Sequence, residues 1–345
     1  MTRFNHRRSR RLRVALVAGA IVLGAAALAS ADGVGPITFE APGYHTGNIN
    51  GQNGWTKTGP YDAAAATVAA FPAASGYGFG AQALRISDAA TSGGFGDQTF
   101  APAVATPAGE SLVNHHFEAA FSIGTTQATQ QPGLHLSVSP DDGQGSRMSY
   151  LRFEDQSDGV HVFFVDVTDP GPKPTTAEFN ETDIATLSRA RAHRIRFSMD
   201  LRPGPANDVV RIVIDGRVKR LHGAQAYHPC TAKRGGHHLA TRCDHRTTTG
   251  TTWEDYYRYD PEQAGNGNVV PVVRTVLFLE RGSPTPANVG QGFLIDRLSF
   301  ASSNPPATGR DCRHGGWKIH TRLDGSAFAS RRACLRYVKR HGASH

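Results

Sequence analysis

Short segments in which every second residue is apolar recur along most of this chain, and that period constrains the fold more than any other feature. Residues 116–123 (HFEAAFSI) place Phe117, Ala119, Phe121 and Ile123 on one side. Residues 134–140 do the same with Leu134, Leu136 and Val138. Residues 194–201 set Ile195, Phe197, Met199 and Leu201 opposite Arg194, Arg196, Ser198 and Asp200. Successive side chains of a strand point to opposite faces, so this pattern predicts sheets with one buried face each. Further strands are predicted at 83–86, 148–153, 160–167, 209–214, 272–279 and 293–300. Turn formers lie between them: Pro140-Asp141-Asp142-Gly143, Asp158-Gly159, Pro203-Gly204 and Asp215-Gly216. No amphipathic helical stretch of any length competes before residue 300. The expected fold is therefore all-β: a two-sheet antiparallel jelly-roll sandwich over residues 32–302. Residues 303–310 have the composition of a linker, and 330–340 predict a helix in a tail spanning 311–345.

The first residues carry a different grammar. MTRFNHRRSRRLR holds six arginines and no acid, VALVAGAIVLGAAALA follows as an apolar run, and Ala29-Ser30-Ala31 supplies small residues before Asp32. This is the pattern of a secretory signal peptide over 1–31, and the apolar run is short of the roughly 20 residues a membrane span needs. Secretion, with membrane contact only through the removed segment, is the expected location. The charge balance changes with it. The whole chain has a net charge of +8, but beyond residue 31 there are 31 basic against 29 acidic residues. Nine Lys and Arg against two Asp lie in 305–345, so residues 32–304 are acidic on balance. A mildly acidic domain with a basic tail is not the charge pattern of a nucleic-acid binder.

Several stretches resemble known domains. HRIRFSMDLRPGPANDVVRIVIDG (193–216) and the closing GFLIDRLSF (292–300) are similar to the late strands of concanavalin A-like (LamG-type) jelly rolls, with a D-G turn after one strand and an I-D pair in the last. GNINGQNGW (47–55), SYLRFED (149–155) and TWEDYYRYDPEQ (252–263) resemble a group of exported bacterial β-domains of unassigned function. These motifs are turns and strand ends, so the resemblance speaks to fold more than to function. The tail, with Asp311-Cys312, Gly315-Gly316-Trp317, Phe328, Cys334 and Tyr337, resembles a short Cys-paired motif that closes many exported bacterial proteins.

Four cysteines in an exported chain predict two disulfides, with three connectivities open and Cys230–Cys243 with Cys312–Cys334 the simplest. The stretch 228–246 also holds four histidines, but it lacks the C-x2-C pairs that bring two thiolates to a zinc ion. A disulfide-stapled surface loop is the expectation; metal binding by His237, His238 and His245 is the alternative. The resemblance implies that about 217–249 is an insertion.

Trp253, Tyr256, Tyr257 and Tyr259, with Glu254 and Asp255, are the candidate ligand contacts, because aromatic faces stack on sugar rings while carboxylates accept hydroxyl hydrogen bonds. Packing across the sheet edge is the competing reading of those rings. Glycoside hydrolysis or elimination by acids among Glu154, Asp155, Glu254, Asp255, Asp260 and Glu262 is the runner-up. It is weakened because adjacent acids on a strand face opposite ways. Nor does the chain hold the E-x-D-x-x-E strand of jelly-roll glucanases, a G-x-S-x-G elbow or an H-E-x-x-H pair. The fold resemblance makes calcium a candidate cofactor, with Asp141-Asp142-Gly143, Asp255, Asp260 and Asp296 as candidate ligands; ordinary turn acids are the competing reading. Arg331, Arg332, Arg336, Lys339 and Arg340 give the tail helix a basic face suited to envelope polymers or lipid headgroups, with a solvated face that simply aids solubility as the equal alternative. Asn180 opens an N-x-T sequon, for which no modification is expected in a bacterial setting. The function expected is non-catalytic binding of carbohydrate or cell-envelope polymer, with a structural protein-binding role as a third reading.

Overall fold

The computed structural model describes residues 33–90, 98–104, 114–141, 149–169, 178–200, 208–219, 229–234, 237–242, 252–253, 275–279 and 284–341. Two antiparallel sheets face each other. The larger runs, in spatial order, through Arg217–Val218, Asp208–Ile214, His193–Asp200, His116–Thr125, Phe293–Ser303, Gln82–Ser87, Asp62–Thr67 and Gly47–Asn48. Gly33–Ile37 also pairs with Phe293–Ser303, and Thr252–Trp253 with Asp208–Ile214. The smaller sheet runs through Glu178–Leu187, Gly159–Asp169, Tyr150–Gln156, His135–Asp141, Thr275–Leu279, Gln98–Phe100 and Thr56–Lys57. The jelly-roll sandwich predicted from the alternating pattern is therefore present.

The predicted inward residues form its core. Phe121 of the larger sheet meets Phe153 of the smaller at 6.2 Å, Phe153 meets Phe293 at 6.3 Å, and Phe164 meets Phe197 at 6.5 Å. Phe117, Ile123, Leu136, Val138, Ile195 and Met199 are all buried in the same cluster. Asp215-Gly216 turns the chain in two residues, with Ile214 opposite Arg217 and positive φ at both positions, as a type I′ hairpin turn requires. The motif at 47–55 is a folded corner: Trp55 is fully buried, its Nε1 donates to Tyr44 Oη at 3.1 Å, and Gln52 Nε2 donates to the carbonyls of His45 and Asn48.

Several strands had no signal in the alternation, and three of them show why. Asp62–Thr67 is built of alanines, too small to register as a hydrophobic period, yet Ala63 and Ala65 are buried. Glu178–Leu187 reads as polar because it is a sheet edge. Gly33–Ile37 is short and forms on the last strand by long-range pairing. The larger sheet is also roofed on its outer side. Val68, Phe71, Ala74 and Tyr77, from two short 3-10 turns and the residue after them, pack on Ala83 and Leu294. Tyr77 lies so close to Gly124 that a Cβ there would come within 2.4 Å of its ring.

The linker predicted at 303–310 is different in the structure. The last strand runs on to Ser303, and residues 301–306 are all buried. Asn304 then ties the tail down: its N–H donates to Thr321 Oγ1 at 2.8 Å, and its carbonyl accepts from Thr321 N–H at 3.1 Å and His320 Nδ1 at 3.0 Å. Burial and these satisfied polar groups together tie the junction to the tail, which composition does not reveal. The tail has its own small core of Cys312, Cys334 and Phe328, lined by Trp317, Leu335, Tyr337 and Val338. Cys312 and Cys334 are disulfide-bonded, and the helix covers Arg331–His341. A Cys312→Ser, Cys334→Ser variant is expected to lose about 3 kcal/mol of tail stability by loop-closure entropy. Hydrogen exchange is the check, with the helix amides losing protection and the sandwich amides keeping theirs.

The segment around Cys230, predicted as a surface loop, holds two short strands. Pro229–Arg234 pairs with His237–Arg242 as an isolated antiparallel hairpin. Cys243 and His245 lie outside the described residues, and with them the Cys230–Cys243 pairing and the histidine cluster.

Candidate functional site

The outer face of the smaller sheet brings together side chains that the alternation leaves pointing away from the core. Its registers align two rows across four adjacent strands. One row is His135, Glu154, His161 and Thr186; the next is Ser137, Arg152, Phe163 and Asp183. Phe163 is apolar on an otherwise polar face because Arg152 lies over it, the guanidinium carbon 4.8 Å from the ring centre. The same guanidinium grips the Glu181 carboxylate in a two-bond fork, with Nη2 donating to Oε2 at 2.7 Å, while Nε lies 3.0 Å from Glu154 Oε1. Gln156 Nε2 donates to the other Glu154 oxygen at 3.1 Å.

His161 stacks beside Phe163, its ring 6.1 Å away and nearly parallel. Its Nδ1 faces Asp183 at 2.7 Å and its Nε2 faces Asp158 at 2.9 Å. Both nitrogens donate only in the imidazolium form. The bond to Asp183 raises the histidine's pKa; burial opposes it, and Asp158 adds to the rise. The result is a patch of flat surface from Phe163, Arg152 and His161, rimmed by carboxylates that are held in place by other protein groups. Such a patch can stack on a ring and accept hydrogen bonds from hydroxyls without first ordering itself.

Of the acids read from the sequence, the structure divides the first pair. Glu154 is on this outer face. Asp155 points inward, fully buried at its side chain, where Arg189 Nε donates to Oδ1 at 2.7 Å and Gln131 N–H to Oδ2 at 2.8 Å. It is a structural anchor between strand and loop. Trp253 is placed by its backbone on the other sheet, opposite Asp208. Glu254, Asp255, Tyr256, Tyr257, Tyr259, Asp260 and Glu262 lie outside the described residues. Arg152, His161, Phe163, Glu181 and Asp183 were not singled out by motif. Arg152 and His161 fall on the polar half of the alternation, Phe163 shares their face, and Glu181 and Asp183 lie on an edge strand that the alternation does not signal.

Among the described residues no three His, Cys, Asp or Glu side chains converge on a point. Two carboxylates nevertheless fit the calcium that the fold resemblance makes a candidate. Asp296, the acid of the I-D pair, is 1% exposed, and its Oδ1 has no hydrogen-bond partner among the described residues. Glu40 comes up beside it. Its carboxylate occupies the space where Gly80 would carry a Cβ, and Gln82 N–H donates to its Oε1 at 3.0 Å. Burial raises the pKa of Asp296 and the Glu40 charge raises it further, against the backbone N–H and side chain of Arg297. Arg297 stands 3.9 Å off and donates instead to the Gly78 carbonyl. Ca²⁺ takes about six to eight oxygen ligands, of which Glu40 and the spare Asp296 oxygen would supply two. Asp141 is buried at the far end of its strand, and Asp142, Gly143, Asp255 and Asp260 lie outside the described residues.

No protein-family model and no curated protein matches the chain. Among solved structures it is similar to an endo-β-1,4-glucuronan lyase from the fungus Trichoderma reesei, at 11% identity over 75% of this chain and 94% of that one, with a TM-score of 0.33. An alginate lyase from Pseudomonas aeruginosa aligns at 9% identity over 64% of this chain and 82% of that one, TM-score 0.33. Lectin II from Ulex europaeus aligns at 10% identity over 73% and 93%, TM-score 0.32. At such scores the alignments decide nothing about this chain, whose fold and site rest on its own residues.

Proposed function

We propose that this chain is an exported, non-catalytic module that binds polysaccharide or cell-envelope polymer on the outer face of its smaller sheet. The observation that carries this is the Arg152–Phe163–His161 surface with its fixed rim of Glu154, Glu181, Asp158 and Asp183. A preorganised flat face with oriented acceptors suits a sugar ring, whose C–H face is apolar and whose edge is hydroxyls. Trp253, paired into the other sheet, with Tyr256, Tyr257, Tyr259, Glu254 and Asp255, is a second candidate contact in this reading, separate from that face. Calcium at Glu40 and Asp296 is a structural ion in it.

The test is co-sedimentation of the chain from Asp32 onward with insoluble polysaccharides and purified cell wall. Saturable depletion by one polymer is expected, weakened about tenfold by Phe163→Ala, the equivalent of roughly 1.4 kcal/mol. His161 should be cationic at and somewhat above its ordinary value near 6.5. Binding should therefore hold below that pH and weaken as pH rises through the raised value, and His161→Gln should remove that dependence. Release of reducing ends or unsaturated sugars would instead make the chain a hydrolase or lyase. If no polymer depletes the chain and Phe163→Ala changes nothing, the carbohydrate reading is wrong and a protein partner takes its place.

A further inference from the structure

The tail helix carries cations that neither the fold nor the proposed sugar face uses. Arg332, Arg336, Lys339 and Arg340 recur at the spacing of one helical face, opposite buried Cys334 and the residues packed on it. All four are exposed, as is Arg331. Among the described residues none of the five side chains has an ion-pair or hydrogen-bond partner. Several other arginines are held, Arg85 on Asp62, Arg152 on Glu181, Arg189 on Asp155 and Arg322 on the Phe328 ring, but Arg196, Arg217, Arg310 and Arg313 are scattered singly rather than aligned on one face.

Helix energetics explain only part of the stripe. Lys339 and Arg340 sit in the last turn, where the helix dipole favours positive charge. Arg331 and Arg332 sit in the first turn, where it disfavours them, and no acid is there to compensate. The stripe therefore runs past the point where it helps the helix. It is also held rigidly: the disulfide clamps the helix to the Cys312 loop, and Asn304 clamps that unit to the sandwich.

We propose that this face is a docking surface for a linear phosphodiester polymer that carries no bases. Steps of four residues place successive guanidinium stems about 6 Å apart along the helix, a ladder for a backbone with regularly repeated charge. Arginine's planar fork engages phosphate oxygens two at a time. In a 1,4-linked polyuronate, successive carboxylates fall on opposite edges of the chain, so one stripe meets alternate charges; a flexible phosphodiester backbone can present each in turn. Binding of single-stranded nucleic acid uses exposed aromatic platforms. The helix's one aromatic residue, Tyr337, is packed against Phe328 and His341.

The experiment is binding of the chain from Asp32 onward to labelled poly(glycerol phosphate) across a salt series, beside polygalacturonate and oligo-dT. Tight, salt-sensitive binding to poly(glycerol phosphate) is expected. A triple Arg332→Gln, Arg336→Gln, Arg340→Gln variant should lose at least about tenfold and flatten the slope of log K against log salt by roughly two. The corresponding triple lysine variant should keep the slope and so report on charge separately from folding. Because the sugar face is elsewhere, Phe163→Ala should leave this binding unchanged. Unaltered affinity in the glutamine variant, or equal or tighter binding of polygalacturonate or oligo-dT, would overturn the proposal.

Discussion

Asp62→Ala should lower the unfolding free energy by about 3–5 kcal/mol, because it strands a buried arginine. Asp62 accepts from both ends of the Arg85 fork, from Ser87 Oγ at 2.6 Å and from the Gly290 N–H at 2.9 Å. One carboxylate thus joins Asp62–Thr67, Gln82–Ser87 and the turn that leads into the last strand. Arg85 also donates to the Gln291 carbonyl, which would remain as its chief partner in the variant. Chemical denaturation of the two chains side by side measures the difference.

The same residue gives the loss a pH signature. Burial works to raise the pKa of Asp62, but the Arg85 fork, Ser87 and Gly290 outweigh it and the net shift is downward. A depressed carboxylate stabilises the fold above its unfolded value, near 3.9, and that stability is lost as pH falls through the lower folded value. The parent should therefore lose stability more steeply than Asp62→Ala below about pH 4, and the two curves should converge in acid. Parallel curves would mean that Asp62 is not held as its carboxylate.

Calcium should raise thermal stability, and it should do so through Glu40 and Asp296. At a free ion concentration one hundred times its dissociation constant the gain is about 2.7 kcal/mol. Thermal melts in calcium, in magnesium and in chelator are the measurement. Glu40→Gln and Asp296→Asn should each abolish the calcium-dependent shift. Asp296→Asn should also be no less stable than the parent in chelator, because it removes a buried charge whose Oδ1 has no partner among the described residues. A calcium shift that survives both substitutions would place the ion elsewhere; no shift at all would leave the two acids as a strained pair.

Much of the fold was legible because it depends on a local rule. Alternation told which side of each long strand faced inward, and Phe117, Phe121, Ile195, Phe197 and Met199 are buried as that rule requires. The Asp215-Gly216 turn and the tail helix were likewise local, since turn conformation and helix capping are decided within a few residues. The Ala-rich strand at Asp62–Thr67 and the polar edge at Glu178–Leu187 were not, because their strand identity comes from neighbours in the sheet.

The site shows the same division more sharply. Alternation separates Glu154 from Asp155, and the structure places them on opposite sides, one on the surface and one locked to Arg189. That Arg152 would meet Glu181, twenty-nine residues on, depends on the register of three strands. That Glu40 would meet Asp296 depends on the closure of the whole sheet. The sequence by itself determined the class of fold, the orientation of its long strands and the basic composition of its tail, all of which follow from periodicity and charge. Tertiary structure alone decided which charges are spent on the fold and which stay available, because pairing between distant strands is set by packing and register and leaves no mark at any one residue.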